Sequence, residues 1–151
     1  MEVLVTKRAY DVMVNEIDKA NDYETGGILL GYNTGDTFKI VEAVDGGYNA
    51  SKSKTSYTCD TCYVEHVSNI VANLYEPSLE VVGVWHKHNS MHEEPFSDED
   101  MLVHEKLINH LNSEMLSLLF QNIQEEIYVL RAYFVPMDEL PKEIKCFVEG
   151  C

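Results

Sequence analysis

His86 and His88 stand one residue apart in the run Trp85-His86-Lys87-His88. Residues 79–88 read as a strand, with Val81, Val82, Val84 and Trp85 supplying its apolar character. Side chains at i and i+2 leave a strand from the same face, so the two imidazoles point together, close enough to share one ion. Past a polar loop at 89–96, Ser97-Asp98-Glu99-Asp100 opens a segment with the apolar period of a helix. Two imidazoles and one carboxylate make a three-ligand set. It leaves a fourth tetrahedral position for water, which distinguishes catalytic from structural zinc. Ser97-x-x-Asp100 is equally the pattern of a helix capping box. Both readings put Ser97 at the helix entrance, so they do not exclude each other.

A third segment joins these two. Glu24-Thr25-Gly26-Gly27-Ile28-Leu29-Leu30-Gly31, then His86-x-His88, then Ser97-x-x-Asp100, resembles the motif set of the JAMM (JAB/MPN-plus) zinc metalloproteases, most of all the free-standing prokaryotic JAB domains. The order of elements matches over roughly residues 7–135. The resemblance implies a role for each residue. His86, His88 and Asp100 hold one Zn²⁺. Glu24 is the general base, taking a proton from the attacking water and passing it to the leaving amine. Ser97 hydrogen-bonds the oxyanion. It also implies an α/β fold, a single JAB/MPN-like domain over residues 1–151 built on a mixed, mostly antiparallel curved sheet flanked by helices. The activity implied is that of a peptidase or isopeptidase (deubiquitinase-like) cutting at the C-terminal tail of a ubiquitin-like protein. That tail would lie extended along a sheet edge. The chemistry is coherent, since zinc lowers the pKa of its water to about 7 and a nearby glutamate can shuttle the proton. A donor aimed at the oxyanion contributes about 3 kcal/mol.

Two departures from the family pattern stand out. Its spacing from the second histidine to the carboxylate lands here on Glu99. Asp100, one residue on, keeps Ser-x-x-Asp intact, and a loop absorbs one inserted residue at small cost. Asp100 is therefore the expected ligand and Glu99 the fallback. The family also favours proline after the second histidine, where this chain has Asn89. The intervening loop adds His92, Glu93 and Glu94 as further candidate ligands or substrate contacts.

Other residues have plainer readings. Glu24 alone is an ordinary solvated carboxylate at a strand start. Trp85 reads as core. His66, His92, His104 and His110 read as surface or helix-face residues without an assigned role. Cys59-x-x-Cys62 at a helix start has the form of a redox motif, and Cys146 and Cys151 could complete four thiolates. Their spacing is poor for a zinc ribbon, so free thiols are expected.

The elements that must position these groups are legible in outline. Residues 2–5 read as a strand and 7–20 as a helix with Ala9, Met13, Ile17 and Ala20 on one face. Residues 26–32 and 38–44 read as strands joined by the turn Asn33-Thr34-Gly35-Asp36, with a polar loop to Ser56. A helix fits 60–75, with Tyr63, Val67, Ile70, Val71 and Leu74 sharing a face. Another fits 98–112 with a stripe of Met101, His104, Ile108 and Leu111. Residues 115–120 and 127–135 read as strands, and the tail 138–151 is ambiguous.

Composition narrows the partners. The chain has 151 residues, a length typical of one domain. Lys+Arg number 11 and Asp+Glu 26, for a net charge of −15. That balance argues against nucleic acid or an anionic membrane as partner, because phosphate binding rests on clustered Lys and Arg. It permits cations and a basic partner. No stretch reaches the roughly 18 apolar residues of a membrane span, and the start lacks a signal-peptide pattern, so a cytoplasmic protein is expected. Three rival classes stay open: a non-catalytic MPN-type scaffold, a thiol-based redox or structural-zinc protein, and a small-substrate or sulfur-carrier maturation hydrolase.

Overall fold

A computed structural model describes residues 1–89, 95–124 and 127–150. His92, Glu93, Glu94 and Cys151 lie outside the described residues. Strand β1 (Glu2–Val5) is followed by helix α1 (Lys7–Ala20), which Thr6 caps by accepting a hydrogen bond from the Ala9 amide. β2 (Thr25–Asn33) and β3 (Thr37–Asp45) form an antiparallel hairpin. The loop expected up to Ser56 holds a small two-stranded hairpin, β4 (Ser51–Lys52) and β5 (Tyr57–Thr58). Helix α2 (Thr61–Ala72), β6 (Glu80–His88) and helix α3 (Asp98–Leu111) come next, then β7 (Met115–Gln124), β8 (Ile127–Val135) and β9 (Lys142–Val148).

The expectation of an α/β domain, a mostly antiparallel curved sheet flanked by helices, is overturned. The described residues are mostly β, with three helices around a closed seven-strand mixed barrel in the order β1-β3-β2-β6-β7-β8-β9. β1 pairs in parallel with both β3 and β9, and β6 pairs in parallel with β7. The tail that was ambiguous in the sequence is the strand that shuts the barrel. Its pairing partner is the first strand, and no local pattern in either announces that contact.

Parity along the strands divides inside from outside. On β7, Leu116, Leu118 and Phe120 join the main core with Leu29, Phe38 and Trp85. Met115 and Leu119 point the other way, packing with Ile108 and Phe96 beneath α3. The register pairs Trp85 with Leu118 and Lys87 with Phe120, so these face inward. His86 pairs with Leu119 and His88 with Gln121, so the two imidazoles face outward, under α3. α1 adds Ala9, Met13 and Ile17 to the main core, the face its period predicts. α2 packs Tyr63, Val67 and Val71 of the expected face against the cluster of Leu30, Val44 and Leu79, but not Ile70 or Leu74. Val64 and Ser68 are buried, while Ile70 and Leu74 are 52% and 75% exposed.

Two glycines let β2 lie close to its neighbours. A Cβ on Gly27 would meet the Val44 carbonyl oxygen at 1.7 Å. One on Gly26 would meet the Trp85 carbonyl oxygen at 2.4 Å and the His86 Cβ at 3.1 Å. Glycine at 26 thus leaves the space beside His86 open. Trp85 is core as expected, its indole N–H donating to the Val44 carbonyl at 3.1 Å.

Candidate metal centre

β6 carries two ligands to the outer face and α3 delivers the third. The His86 and His88 Nε2 atoms lie 2.9 Å apart. Asp100 Oδ2 lies 3.2 Å from His88 Nε2 and 3.7 Å from His86 Nε2. Ligands held at 2.0–2.1 Å around a tetrahedral zinc are themselves about 3.3 Å apart. The three observed separations bracket that value, so the donor set fits one zinc ion. Among the described residues, this is the one group of three or more His, Cys, Asp or Glu that converges in this way. Glu99 does not belong to it and is exposed.

The capping box and the ligand set share the same atoms. Ser97 Oγ accepts from the Asp100 amide at 3.1 Å, and the Ser97 amide donates to Asp100 Oδ2 at 2.9 Å. The cap therefore orients the carboxylate toward the imidazoles. It also leaves the Ser97 hydroxyl hydrogen uncommitted, and Ser97 is exposed at the rim.

Burial lowers the His86 pKa to about 3, so the ring is a neutral ligand at pH 7. Burial alone would raise the Asp100 pKa. The hydrogen bond from His88, the His86 charge and the Ser97 amide outweigh it and hold the carboxylate well below its usual range. His86 and Asp100 are thus poised in the protonation states that metal binding needs.

Glu24 immediately precedes β2. Thr25 pairs with Lys87 and Gly26 with His86, so one further step of the register sets Glu24 opposite His88, on the ligand face. It is half-buried, and its amide donates to the Ser53 carbonyl at 2.8 Å. Burial raises its pKa; His88 opposes that shift and Asp100 and Glu99 add to it, which reflects their proximity. A carboxylate with a raised pKa beside a metal site has the character of a general base.

A cavity of about 410 Å³ adjoins the centre. Ile28, Val84, Val103 and Leu107 give it an apolar lining, Tyr57 and Thr58 of β5 form one wall, and it reaches His86 and Asp100.

Three groups near the centre carried no role in the sequence reading. His104 is 2% exposed rather than superficial, and its Nε2 lies 3.1 Å from Ser117 Oγ. Its place on the apolar stripe of α3 was the available signal. Phe96 packs its ring on His86 and on His104, with centroids at 5.8 and 4.8 Å. Lys87 is fully buried, and burial lowers its pKa. Lying between two outward ligands, it had to point inward. The free thiols of Cys59, Cys62 and Cys146 form no cluster with one another among the described residues. His66 and His110 are exposed, as expected.

No family profile matches the sequence, and no curated protein does. Among solved structures, the chain is similar to the solution structure of protein DSY2949 from Desulfitobacterium hafniense, a structural genomics target. The identity is 18%, the match covers 97% of this chain and 92% of the other, and the TM-score is 0.68. At that identity the similarity establishes the fold alone: this chain shares the architecture of DSY2949.

Proposed function

We propose that this chain is a zinc-dependent peptidase or isopeptidase of JAMM-like chemistry that cuts at the C-terminal tail of a ubiquitin-like protein. One observation carries the reading: His86, His88 and Asp100 converge at ligand distances, with Glu24 on the same face. The same donor types also suit non-haem iron. Glu24 and Ser97 favour hydrolysis, because amide cleavage needs a group that carries the proton and a donor for the developing oxyanion.

Bound at this triad, zinc would act as the Lewis acid and make water a nucleophile near neutral pH. Glu24 takes the proton of the attacking water and delivers it to the departing nitrogen. The Ser97 hydroxyl donates to the oxygen on which charge develops. Phe96 packs on His86 and the cavity beside it is mostly apolar, which lowers the local polarity in which these contacts act. Barrel closure removes the long free edge on which an extended tail was expected to lie. The β4–β5 hairpin remains, with no further strand partner among the described residues and with β5 forming a wall of the cavity. An extended tail can add to it by backbone pairing. No helix among the described residues is long and apolar enough to cross a membrane, and the proposed hydrolase is cytoplasmic, where its cysteines would stay as thiols.

The cavity of about 410 Å³ also suits a second substrate form, a small acyl or amino-acid group released from such a tail. Fusions of ubiquitin-like proteins and short aminoacyl amides, assayed side by side, separate the two forms. Glu24→Gln should bind one zinc per chain, measured by elemental analysis, and lose at least a hundredfold in kcat. Full turnover by Glu24→Gln would remove the base. A wild-type chain that stays metal-free in excess zinc would instead indicate a scaffold.

A further inference from the structure

β6 and the residue after it divide their side chains between two tasks. His86 and His88 go to the ligand face. Lys87 and Asn89 go to the segment that leads into Glu24. Lys87 Nζ donates to the Asn21 carbonyl at 2.6 Å. Asn89 Nδ2 donates to the Asp22 carbonyl and, at 3.1 Å, to the Lys54 carbonyl. Asn89 is itself held, its carbonyl accepting from Asn122 Nδ2 at 2.8 Å.

The energetics point beyond packing. Lys87 is 0% exposed, with its ammonium 5.6 Å from the Tyr128 ring centroid. Burying an ammonium costs several kcal/mol, and an apolar side chain of the same length would fill the barrel end more cheaply. The carbonyl it captures belongs to Asn21, which ends α1 at φ 54°, a conformation that non-glycine residues seldom keep without support. The chain turns there from α1 toward β2, and only Asp22 and Tyr23 separate that turn from Glu24.

We propose that Lys87 and Asn89 are positioning residues that fix residues 21–24, so that one strand sets both the metal ligands and the base. This rests on the reading of Glu24 as base. Asn89, where the resembled family favours proline, then has a task proline cannot perform, because proline has no side-chain donor.

The test uses Lys87→Met, which keeps the length of the side chain, and Asn89→Ala, which leaves the barrel interior untouched. Two readouts are taken on zinc-loaded protein. The first is amide hydrogen exchange at Tyr23 and Glu24, whose N–H groups are bonded to the Ala20 and Ser53 carbonyls. The second is the split between kcat and KM. Exchange at these two amides should rise at least tenfold while the β6 amides and the zinc stoichiometry stay as in wild type. The kcat should fall ten- to a hundredfold with KM within threefold. Unchanged exchange in both variants overturns the proposal, as does loss of zinc in step with activity. Wild-type zinc protein that never turns over overturns the reading of the site instead. The two failures are told apart because exchange reports the clamp without substrate.

Discussion

At the scale of single residues, the centre depends on side chains that do two things at once. Asp100 completes a capping box and a ligand triad with the same oxygen. Both functions were legible in Ser97-x-x-Asp100, and the structure joins them. Glu24 is tuned by burial, and its titration is the first place to look. In the metal-free protein, carboxyl NMR should put Glu24 above its ordinary value of 4.5. Its charged form is therefore lost earlier than usual as pH falls. A zinc ion on the triad adds positive charge nearby and should move that titration downward. A Glu24 titration that zinc leaves unmoved would separate the residue from the centre. The ligands themselves were readable because their spacing is local. Lys87 and Asn89 were not, since their partners Asn21 and Asp22 are remote in sequence and a backbone carbonyl leaves no signature there.

At the scale of elements, α3 decides whether the triad exists. Its start supplies Asp100, and its buried face sets the helix on β7 through Ile108 and the contact between His104 and Ser117. Burial lowers the His104 pKa from 6.5 to about 4. The unfolded chain then takes up a proton below pH 6.5 that the folded chain refuses until about pH 4. Stability is full above the upper value and declines as pH falls through this window, by on the order of 3 kcal/mol for this residue. Urea denaturation at pH 7 and pH 4.5 should show that decline, and His104→Gln should reduce it, leaving the part that buried His86 contributes over the same window. An equal decline in the variant would relocate the effect. The period of α1 was readable because one face of it meets one core. On α2, Tyr63, Val67 and Val71 pack against the small cluster around Leu30 and Leu79, and Val64 and Ser68 are buried as well. Ile70 and Leu74 mislead there, being apolar residues that the fold leaves in water.

At the scale of the whole molecule, charge and closure dominate. With 26 acidic and 11 basic residues, the folded chain repels itself. Raising sodium chloride from 10 mM to about 0.2 M shortens the screening length from about 30 Å to under 10 Å and should raise the urea midpoint. A midpoint that falls would mean that the surface ion pairs, such as Lys7 with Asp11, outweigh the repulsion. Closure was the least legible feature. Strand positions could be read from apolar runs and turns, but which strands become neighbours is a property of the completed sheet.

The seam between β1 and β9 joins residues 2–5 to residues 145–148. These contacts have nearly the largest sequence separation the chain allows, so their loop-closure entropy is high and they form late. Glu24, β6 and α3 all precede β9 in the chain. During synthesis, the residues that would take a metal emerge well before the strand that completes the barrel. For that interval β1 and β8 each present an unpaired edge. The order of emergence thus sets a period in which a loaded centre could exist on a barrel still open to mispairing.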